Sequence, residues 1–176
     1  MRRFLLLDDE INVLYALKRA LRACLSEKDM SVEIFTEPEQ ALLRSGEVAF
    51  DVVISDYHMP QMNGVEFLAM VKGLQPDAVR LILSASTEFE TVMSAINRAE
   101  VFRYISKPWL IEDLKTTLAL VLERRDQLMA NQRLADELRV QRGQLTPQEL
   151  EARRLEAEEP GITKVNWGPD GSVRLE

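Results

Sequence analysis

One stretch decides the fold, Val52-Val53-Ile54-Ser55-Asp56-Tyr57-His58-Met59-Pro60, an apolar run that ends in a carboxylate and breaks at a proline. Asn63-Gly64 follows it as a turn signal, so the run predicts a buried strand that delivers Asp56 to a loop at the sheet edge. In open parallel sheets, chemistry gathers outside the carboxyl ends of the strands. Asp56 is therefore the first candidate functional residue.

Four more short apolar runs each precede a segment with helical spacing, and they begin near Phe4, Val32, Val79 and Val101. Five strand–helix repeats predict an α/β fold, a doubly wound parallel sheet with helices on both faces and right-handed crossovers. Glu33 and Arg103 interrupt two of the runs with charge, so those two strands are the expected sheet edges.

Helix starts are predicted wherever a capping residue precedes a periodic segment with an acid three residues later. These signals are Thr36-Glu37-Pro38-Glu39, Asn63-Gly64-Val65-Glu66, Thr87 with Glu90, and Thr146-Pro147-Gln148-Glu149.

Composition bounds the classes of function. With 176 residues, 46% of them hydrophobic, the chain can bury one full core, which predicts one domain with appendages. A net charge of -7 argues against a nucleic-acid or anionic-membrane binder, since both need a basic surface.

Cys24 alone makes no disulfide framework and is expected to be a small core residue. The apolar run near Phe4 is too short for a signal peptide or a membrane span, so we expect a cytoplasmic protein.

Polar groups end four of the predicted strands and should meet at one edge of the sheet. They are Asp8 and Asp9, Asp56, Ser84 and Lys107. An acid at a strand end is, taken alone, more often a helix cap or a solvated loop residue. Three carboxylates together repel one another unless a cation lies between them, and Mg2+ accepts a few carboxylates with water and a phosphoryl oxygen. With that charge neutralised, Asp56 could attack phosphorus and form an aspartyl phosphate.

Four motifs in this order and spacing resemble the receiver domain of two-component response regulators over about residues 3 to 122. They are Leu7-Asp8-Asp9-Glu10, the Ser55 to Pro60 segment with Gly64, Leu83-Ser84-Ala85, and Tyr104-Ile105-Ser106-Lys107-Pro108. The resemblance implies a flavodoxin-like (CheY-like) five-stranded sheet in the order 2-1-3-4-5.

The resemblance also implies residue roles. Asp56 would be the phosphoacceptor and Asp9 a direct Mg2+ ligand, with Asp8 acting mainly through water and the backbone carbonyl of His58 completing the protein's ligands. The implied phosphoryl-binding and switch residues are Ser84, Ala85, Tyr104 and Lys107, and Lys107-Pro108 is a candidate cis peptide.

Two of these side chains have simpler interpretations. His58 could act as a metal ligand or general base, but an exposed side chain at the pocket rim is the more ordinary outcome. An aromatic residue such as Tyr104 in an edge strand usually serves packing. A phosphoryl group on Asp56 would rearrange the face formed by the fourth predicted helix, the fifth strand and the fifth predicted helix. We expect the signal to be recognised at this face.

Beyond the receiver, Leu114, Val121, Leu128 and Ala135 fall at heptad spacing, which predicts a helix to about Arg142. Thr117, Arg124 and Asn131 interrupt the seam, so the alternatives are a homodimeric coiled coil and a solvated single helix. Gly143 ends this helix. We expect a receiver domain at 1–122, an extended helix at 123–145, and a tail of short helix plus hairpin at 146–176.

The last segment reads as a β-hairpin from Ile162 to Leu175, turning at Gly168-Pro169-Asp170-Gly171. Val165 and Trp167 would share one face with Val173 and Leu175. A two-stranded hairpin is marginal alone, so docking or dimer stabilisation is expected rather than disorder.

The resemblance implies a non-enzymatic phosphoacceptor that receives phosphate from a sensor histidine kinase and signals to an unidentified protein target, and the acidic composition leads us to expect no nucleic acid or membrane as partner. Alternatives are a phosphorylation-independent dimeric scaffold or adaptor, and a regulatory fragment of a cyclic-dinucleotide phosphodiesterase system, since the ending at Trp109 resembles receivers of HD-GYP proteins or enhancer-dependent activators. A haloacid-dehalogenase-like phosphatase is disfavoured, because His58 stands where that family has a second aspartate.

Overall fold

The computed structural model describes residues 1–26, 29–85, 99–158 and 162. Within these ranges the strands are β1 (Arg2–Leu7), β2 (Met30–Phe35), β3 (Val52–Asp56), β4 (Val79–Ala85) and β5 (Arg103–Lys107). The helices are α1 (Ile11–Cys24), α2 (Pro38–Glu47), α3 (Gly64–Leu74), α4 (Ile111–Gln141) and α5 (Pro147–Glu158), and we call the last two the long helix and the terminal helix. The helix expected after Thr87 and the hairpin expected from Ile162 lie outside the described residues.

All five strands are parallel and lie in the order β2-β1-β3-β4-β5, which confirms the predicted fold class and sheet order. The strands that carry Glu33 and Arg103 are the two edges, as their charges predicted. The central strands are buried on both faces, as continuous apolar runs require.

The core has two halves, one on each face of the sheet. On one face α1 and the long helix bury Leu14, Leu17, Leu114, Leu118 and Val121. On the other face α2 and α3 bury a second cluster. Each fully buried Leu or Val contributes roughly 1.5–3 kcal/mol of transfer free energy, so both halves hold the strand ends at fixed positions.

Two of the predicted helix caps form as expected. The side chain of Asn63 accepts hydrogen bonds from the backbone N–H groups of Val65 and Glu66, at 3.1 and 2.9 Å. A reciprocal capping box opens the terminal helix, where the Thr146 N–H donates to Glu149 at 2.8 Å and the Glu149 N–H donates to Thr146 Oγ1 at 3.2 Å.

The cap predicted at Thr36 is wrong. Helix α2 begins at Pro38 with Glu37 in the N-cap position, and among the described residues no side chain caps it. The reason is Pro38, whose fixed torsion and missing N–H suit the first helical position and so set the boundary one residue later than the Thr36 pattern does.

The long helix runs without a break from Ile111 to Gln141, and Gly143 follows in the left-handed region with φ of 66°. Its first half belongs to the receiver core, because Leu114, Leu118 and Val121 are buried there. A dimer seam can therefore use only later positions. The division at residue 122 stays a prediction.

Contacts beyond residue 122 still tie the long helix to the sheet. Arg125 is only 8% exposed. Its Nε donates to Asp51 Oδ1 at 2.9 Å and its Nη1 to the carbonyl of Asp77 at 2.8 Å. Leu128, one turn further on, packs against the core. Among the described helices, none combines the length and the apolar character needed to span a bilayer.

Candidate functional site

The candidate site lies where β1, β3, β4 and β5 end. The structure brings together Asp8, Asp56 and Lys107, and both carboxylates are buried, at 0% and 6% exposure. Lys107 Nζ lies 2.6 Å from Asp8 Oδ2 and 2.5 Å from Asp56 Oδ1. One ammonium group therefore bridges two acids that would otherwise repel each other in a desolvated pocket.

Backbone groups orient the two acids. The Glu10 N–H donates to Asp8 Oδ1 at 2.9 Å, and the backbone of His58 hydrogen-bonds to the Asp56 carboxylate. Asp9, the next residue along, is exposed. The site thus combines two fixed, buried carboxylates with a third at its open side.

Burial and charge act in opposite directions on these groups. Burial raises the pKa of Asp56, the Lys107 ammonium lowers it in part, and the neighbouring Asp8 raises it again, so the pKa is held above its ordinary value. Burial lowers the pKa of Lys107, but hydrogen bonds and charge from Asp56 and Asp8 outweigh it, and the net pKa is raised. Lys107 is therefore a permanent cation in the pocket.

Gly64 is a steric requirement of the site. A Cβ at this position would lie 2.0 Å from the carbonyl oxygen of Asp56, where no side chain fits. The Gly64 N–H donates to Tyr57 O at 2.9 Å, and Ser55 Oγ donates to the same Asp56 carbonyl at 2.9 Å. Sequence reasoning identified Gly64 only as a turn and motif residue, because the approach of α3 to the end of β3 has no local signal.

The implied switch residues lie on β4 and β5. Ser84 is 2% exposed and its Oγ donates to the Ala85 carbonyl at 3.3 Å, while Ala85 is exposed. Tyr104 is half-buried against the core on the α2–α3 face, beside Ile82 in register. The structure therefore places Ser84 and Tyr104 on neighbouring strands.

The remaining candidate residues lie at the rim. His58 is exposed, and its ring contacts Tyr57 edge-on with centroids 4.7 Å apart. The Lys107–Pro108 peptide bond is cis. Exposed apolar side chains flank the same edge, where α1 and the long helix begin: Ile11, Tyr15, Leu110 and Ile111.

The carboxylate oxygens at this site are suitable ligands for a hard cation, although the side chains do not converge as a complete metal site. In the part of the chain that the structure describes, no three His, Cys, Asp or Glu side chains converge as a metal cluster. Asp8 and Asp56 supply buried carboxylate oxygens and Asp9 an exposed one, and such oxygens are the ligands that Mg2+ accepts together with water. The residues present therefore fit this metal.

Curated relatives match only part of their own length. A hydrogenase transcriptional regulatory protein, HoxA of Bradyrhizobium diazoefficiens, is 36% identical over 120 residues, which cover 66% of this chain and 24% of the relative. The two-component response regulator ORR24 of Oryza sativa is 36% identical over 124 residues, covering 70% and 19%. The chain thus spans about a quarter or less of the length of these relatives.

Solved structures share the fold. A structure described as adenylate cyclase from Rhodopirellula baltica has a TM-score of 0.68 at 29% identity, covering 77% of this chain and 97% of that one. The receiver domain of an HD domain-containing protein from Pseudomonas fluorescens Pf-5 has 0.64 at 30%, covering 72% and 98%. Chemotaxis protein CheY4 of Vibrio cholerae has 0.61 at 28%, covering 69% and 98%.

A family sequence profile, that of the response regulator receiver domain, matches residues 4–119, about two thirds of the chain. The same residues hold the sheet, the Asp8, Asp56 and Lys107 cluster and the start of the long helix. The chain therefore belongs to the response regulator receiver family of two-component systems.

Proposed function

We propose that this protein is a response regulator that accepts a phosphoryl group on Asp56 from a sensor histidine kinase and passes the signal on by protein contact. The observation that carries the proposal is the Lys107 ammonium group, 2.5 Å from the carboxylate of Asp56 and 2.6 Å from that of Asp8. Two buried carboxylates and a fixed cation thus meet at one edge of the sheet, which supports Asp56 as the proposed nucleophile.

In the proposed transfer, a carboxylate oxygen of Asp56 attacks phosphorus while the P–N bond to the donor histidine breaks. The bonding electron pair stays with the imidazole nitrogen, which is left neutral or takes a proton from water, and Asp56 becomes an acyl phosphate. In this proposal Lys107 would pair with one phosphoryl oxygen, and Ser84 and Ala85 with another. Because the chain itself receives the group, we assign it the role of a phosphoacceptor rather than a turnover enzyme.

We assign Mg2+ to the same pocket, held by Asp8, Asp9, Asp56 and the backbone carbonyl of His58. When bound, the ion neutralises charge on the phosphoryl group as it transfers. The two buried acids support this assignment, since Lys107 alone balances only one of their two charges.

The exposed apolar rim favours a macromolecular donor. Ile11 and Tyr15 are 40% and 50% exposed, and Leu110 and Ile111 are 68% and 45% exposed. They follow directly on the segments that carry Asp8 and Lys107, so a protein docked there would deliver its phosphohistidine to Asp56. Substituting Tyr15→Ala should slow transfer from the kinase and leave transfer from a small phosphodonor unchanged.

Output is proposed to pass through the face formed by β5, the start of the long helix and the helix that the sequence predicts after Thr87. Ser84 and Tyr104 would follow the phosphoryl group and bias an existing equilibrium between two arrangements of that face. A shift from mostly one to mostly the other needs about 5.5 kcal/mol of differential contact.

A homodimer is proposed through the later part of the long helix, where Leu134 and Leu138 are 58% and 50% exposed one turn apart. Light scattering with and without a phosphoryl mimic tests it, and Leu138→Ser should reduce the dimer. The proposed place of action is the cytoplasm, with no nucleic acid or membrane as partner.

Incubation with Mg2+ and acetyl phosphate, read by intact mass, tests the central proposal. A single phosphoryl adduct is expected, and it should be absent after Asp56→Asn or after chelation of the metal. Asp29→Asn, which removes an exposed acid far from the site, should leave the adduct intact. An adduct that survives Asp56→Asn would overturn the assignment.

A further inference from the structure

An open groove lies at the end of the sheet opposite Asp56. It has a volume of about 450 Å³ and lies between the start of β4, the residues before β5 and the long helix. Because the strands are parallel, the start of β4 and the end of β3 lie at opposite edges of the sheet, so the groove is separate from the candidate site. Its walls combine apolar and charged side chains, among them Val101, Phe102, Leu128, Arg80, Glu100 and Arg124.

Arg80 is a buried cation in the wall of this groove, with an exposure of only 5%. Its Nε donates to the carbonyl of Ala99 at 2.8 Å and its Nη1 to the carbonyl of Ala78 at 2.7 Å. Its Nη2 donates no hydrogen bond to any described residue, and the distance to Glu100 Oε2 is 3.7 Å. Burial lowers the pKa of Arg80, and the carboxylates of Glu100 and Asp77 offset only part of that effect. The guanidinium therefore retains a donor for a further acceptor.

The charge around the groove is positive on balance. Arg124 is exposed and has no hydrogen bond or ion pair within the described parts of the chain. Glu100 is the only acid among the described lining residues, and Lys72 Nζ lies 2.6 Å from its Oε1. Lys72 thus balances Glu100, and the charges of Arg80 and Arg124 remain. In a chain of net charge -7, such a locally positive groove favours an anionic ligand.

Phe102 adds an aromatic surface beside these charges. It is 37% exposed and directly precedes β5, and Val101 and Leu128 extend the apolar wall. Arginine and aromatic residues are enriched at protein interfaces and contribute most to their binding energy. Pockets for small molecules, by contrast, enclose most of the ligand surface, whereas this groove is open to solvent. The groove therefore favours a segment of a protein over a small molecule.

We propose that this groove binds an acidic peptide segment of the protein target. A carboxylate of that segment pairs with Arg80 Nη2 and Arg124, and a large apolar side chain next to it packs on Phe102. Guanidinium groups present N–H donors in a geometry that matches a carboxylate. The inference rests on the proposed output by protein contact, and it places part of that contact next to β5 and the long helix.

An NMR titration of the isotope-labelled full chain with the peptide acetyl-Glu-Phe-Glu-amide tests this. The amide signals of Val101, Phe102 and Leu128 should shift and saturate, and the affinity should fall as salt is added. The neutral peptide acetyl-Gln-Phe-Gln-amide should bind about tenfold more weakly, because its hydrogen bonds to the guanidinium groups are no longer between opposite charges.

Variants locate the binding. Arg124→Glu and Phe102→Ser change exposed side chains of the groove, and each should weaken binding about tenfold. Glu100→Gln removes the carboxylate that competes for Arg80 Nη2 and should strengthen binding, which damage to the fold would not do. Arg133→Glu is the matched control. Arg133 is exposed and nine residues beyond Arg124, on the opposite side of the same helix, so the same change of charge there should leave the affinity unchanged.

Three results would overturn the proposal: no shift of the groove amides, equal affinity for the acidic and the neutral peptide, and equal loss of binding from Arg133→Glu and Arg124→Glu. The titration needs no phosphodonor. Its failure would leave the phosphorylation of Asp56 unaffected, and a chain that accepted no phosphoryl group would still be expected to bind the peptide.

Discussion

Gly64→Ala should damage both the stability and the chemistry of this protein. The added Cβ would lie 2.0 Å from the carbonyl oxygen of Asp56, and also 2.9 Å from its carbonyl carbon. Ordinary van der Waals contact begins at about 3.4 Å, so the start of α3 and the end of β3 must separate by about 1.4 Å. Both neighbours are backbone atoms, which cannot rotate away as a side chain could.

The magnitude follows from that displacement. Overpacking of this kind typically costs about 1–3 kcal/mol of the free energy of unfolding. A displacement near 1 Å at a reacting group typically costs about 100-fold in rate. We therefore expect Gly64→Ala to lose about 1–3 kcal/mol in urea unfolding and about two orders of magnitude in the rate of phosphorylation by acetyl phosphate.

Gly73→Ala is the matched control, because it lies on the same helix and a Cβ there meets no described atom within 4 Å. It should leave the phosphorylation rate unchanged and raise helix stability by roughly 0.5–1 kcal/mol. Urea unfolding and mass-resolved kinetics would be run on both variants. If Gly64→Ala matched Gly73→Ala in both measurements, the steric argument would be refuted.

Three further predictions concern contacts that hold the elements in place. Asp51→Ala removes the carboxylate that neutralises the buried Arg125 guanidinium and should cost about 3–5 kcal/mol in urea unfolding, whereas Asp126→Ala, at an exposed ion pair, should cost under about 1 kcal/mol. Asn63→Ala removes the cap of α3 and should cost about 1 kcal/mol in the same assay. Hydrogen bonds from Thr146 lower the pKa of Glu149 below its ordinary value. The ionised Glu149 carboxylate therefore stabilises the terminal helix fully at pH values above its ordinary pKa of about 4.3. This stabilisation is lost as the pH falls through the lower pKa that Glu149 has in the folded protein. Amide exchange in the terminal helix, compared with Glu149→Gln, measures that loss.

The fold and the core of the site could be predicted from the sequence because their signals are local. Each apolar run with its terminal polar residue predicts one strand, and parallel strands gather those ends without further information. Asp8, Asp56 and Lys107 meet for this reason. The edge positions of β2 and β5 were predicted in the same way from a single charge in each run.

Other features depend on contacts between distant parts of the chain. Asp51 and Arg125 are 74 positions apart, and no sequence pattern pairs them. Heptad spacing at Leu114 and Val121 indicated an apolar face but not its partner, and the face packs on the receiver's own core. The same limit applies to Gly64, whose role depends on how closely α3 approaches β3.

The uninterrupted long helix has a mechanical consequence. Thirty-one residues at about 1.5 Å each give the long helix a length of about 46 Å. It begins four residues after Lys107, and it should bend little because it contains neither proline nor glycine. A tilt of roughly one tenth of a radian at its first turn would displace Gln141 by about 5 Å. The Arg125–Asp51 ion pair and the packing of Val121 and Leu128 hold the first half of this helix against the sheet. How firmly they hold it sets how much angular motion at the strand edge reaches the far end.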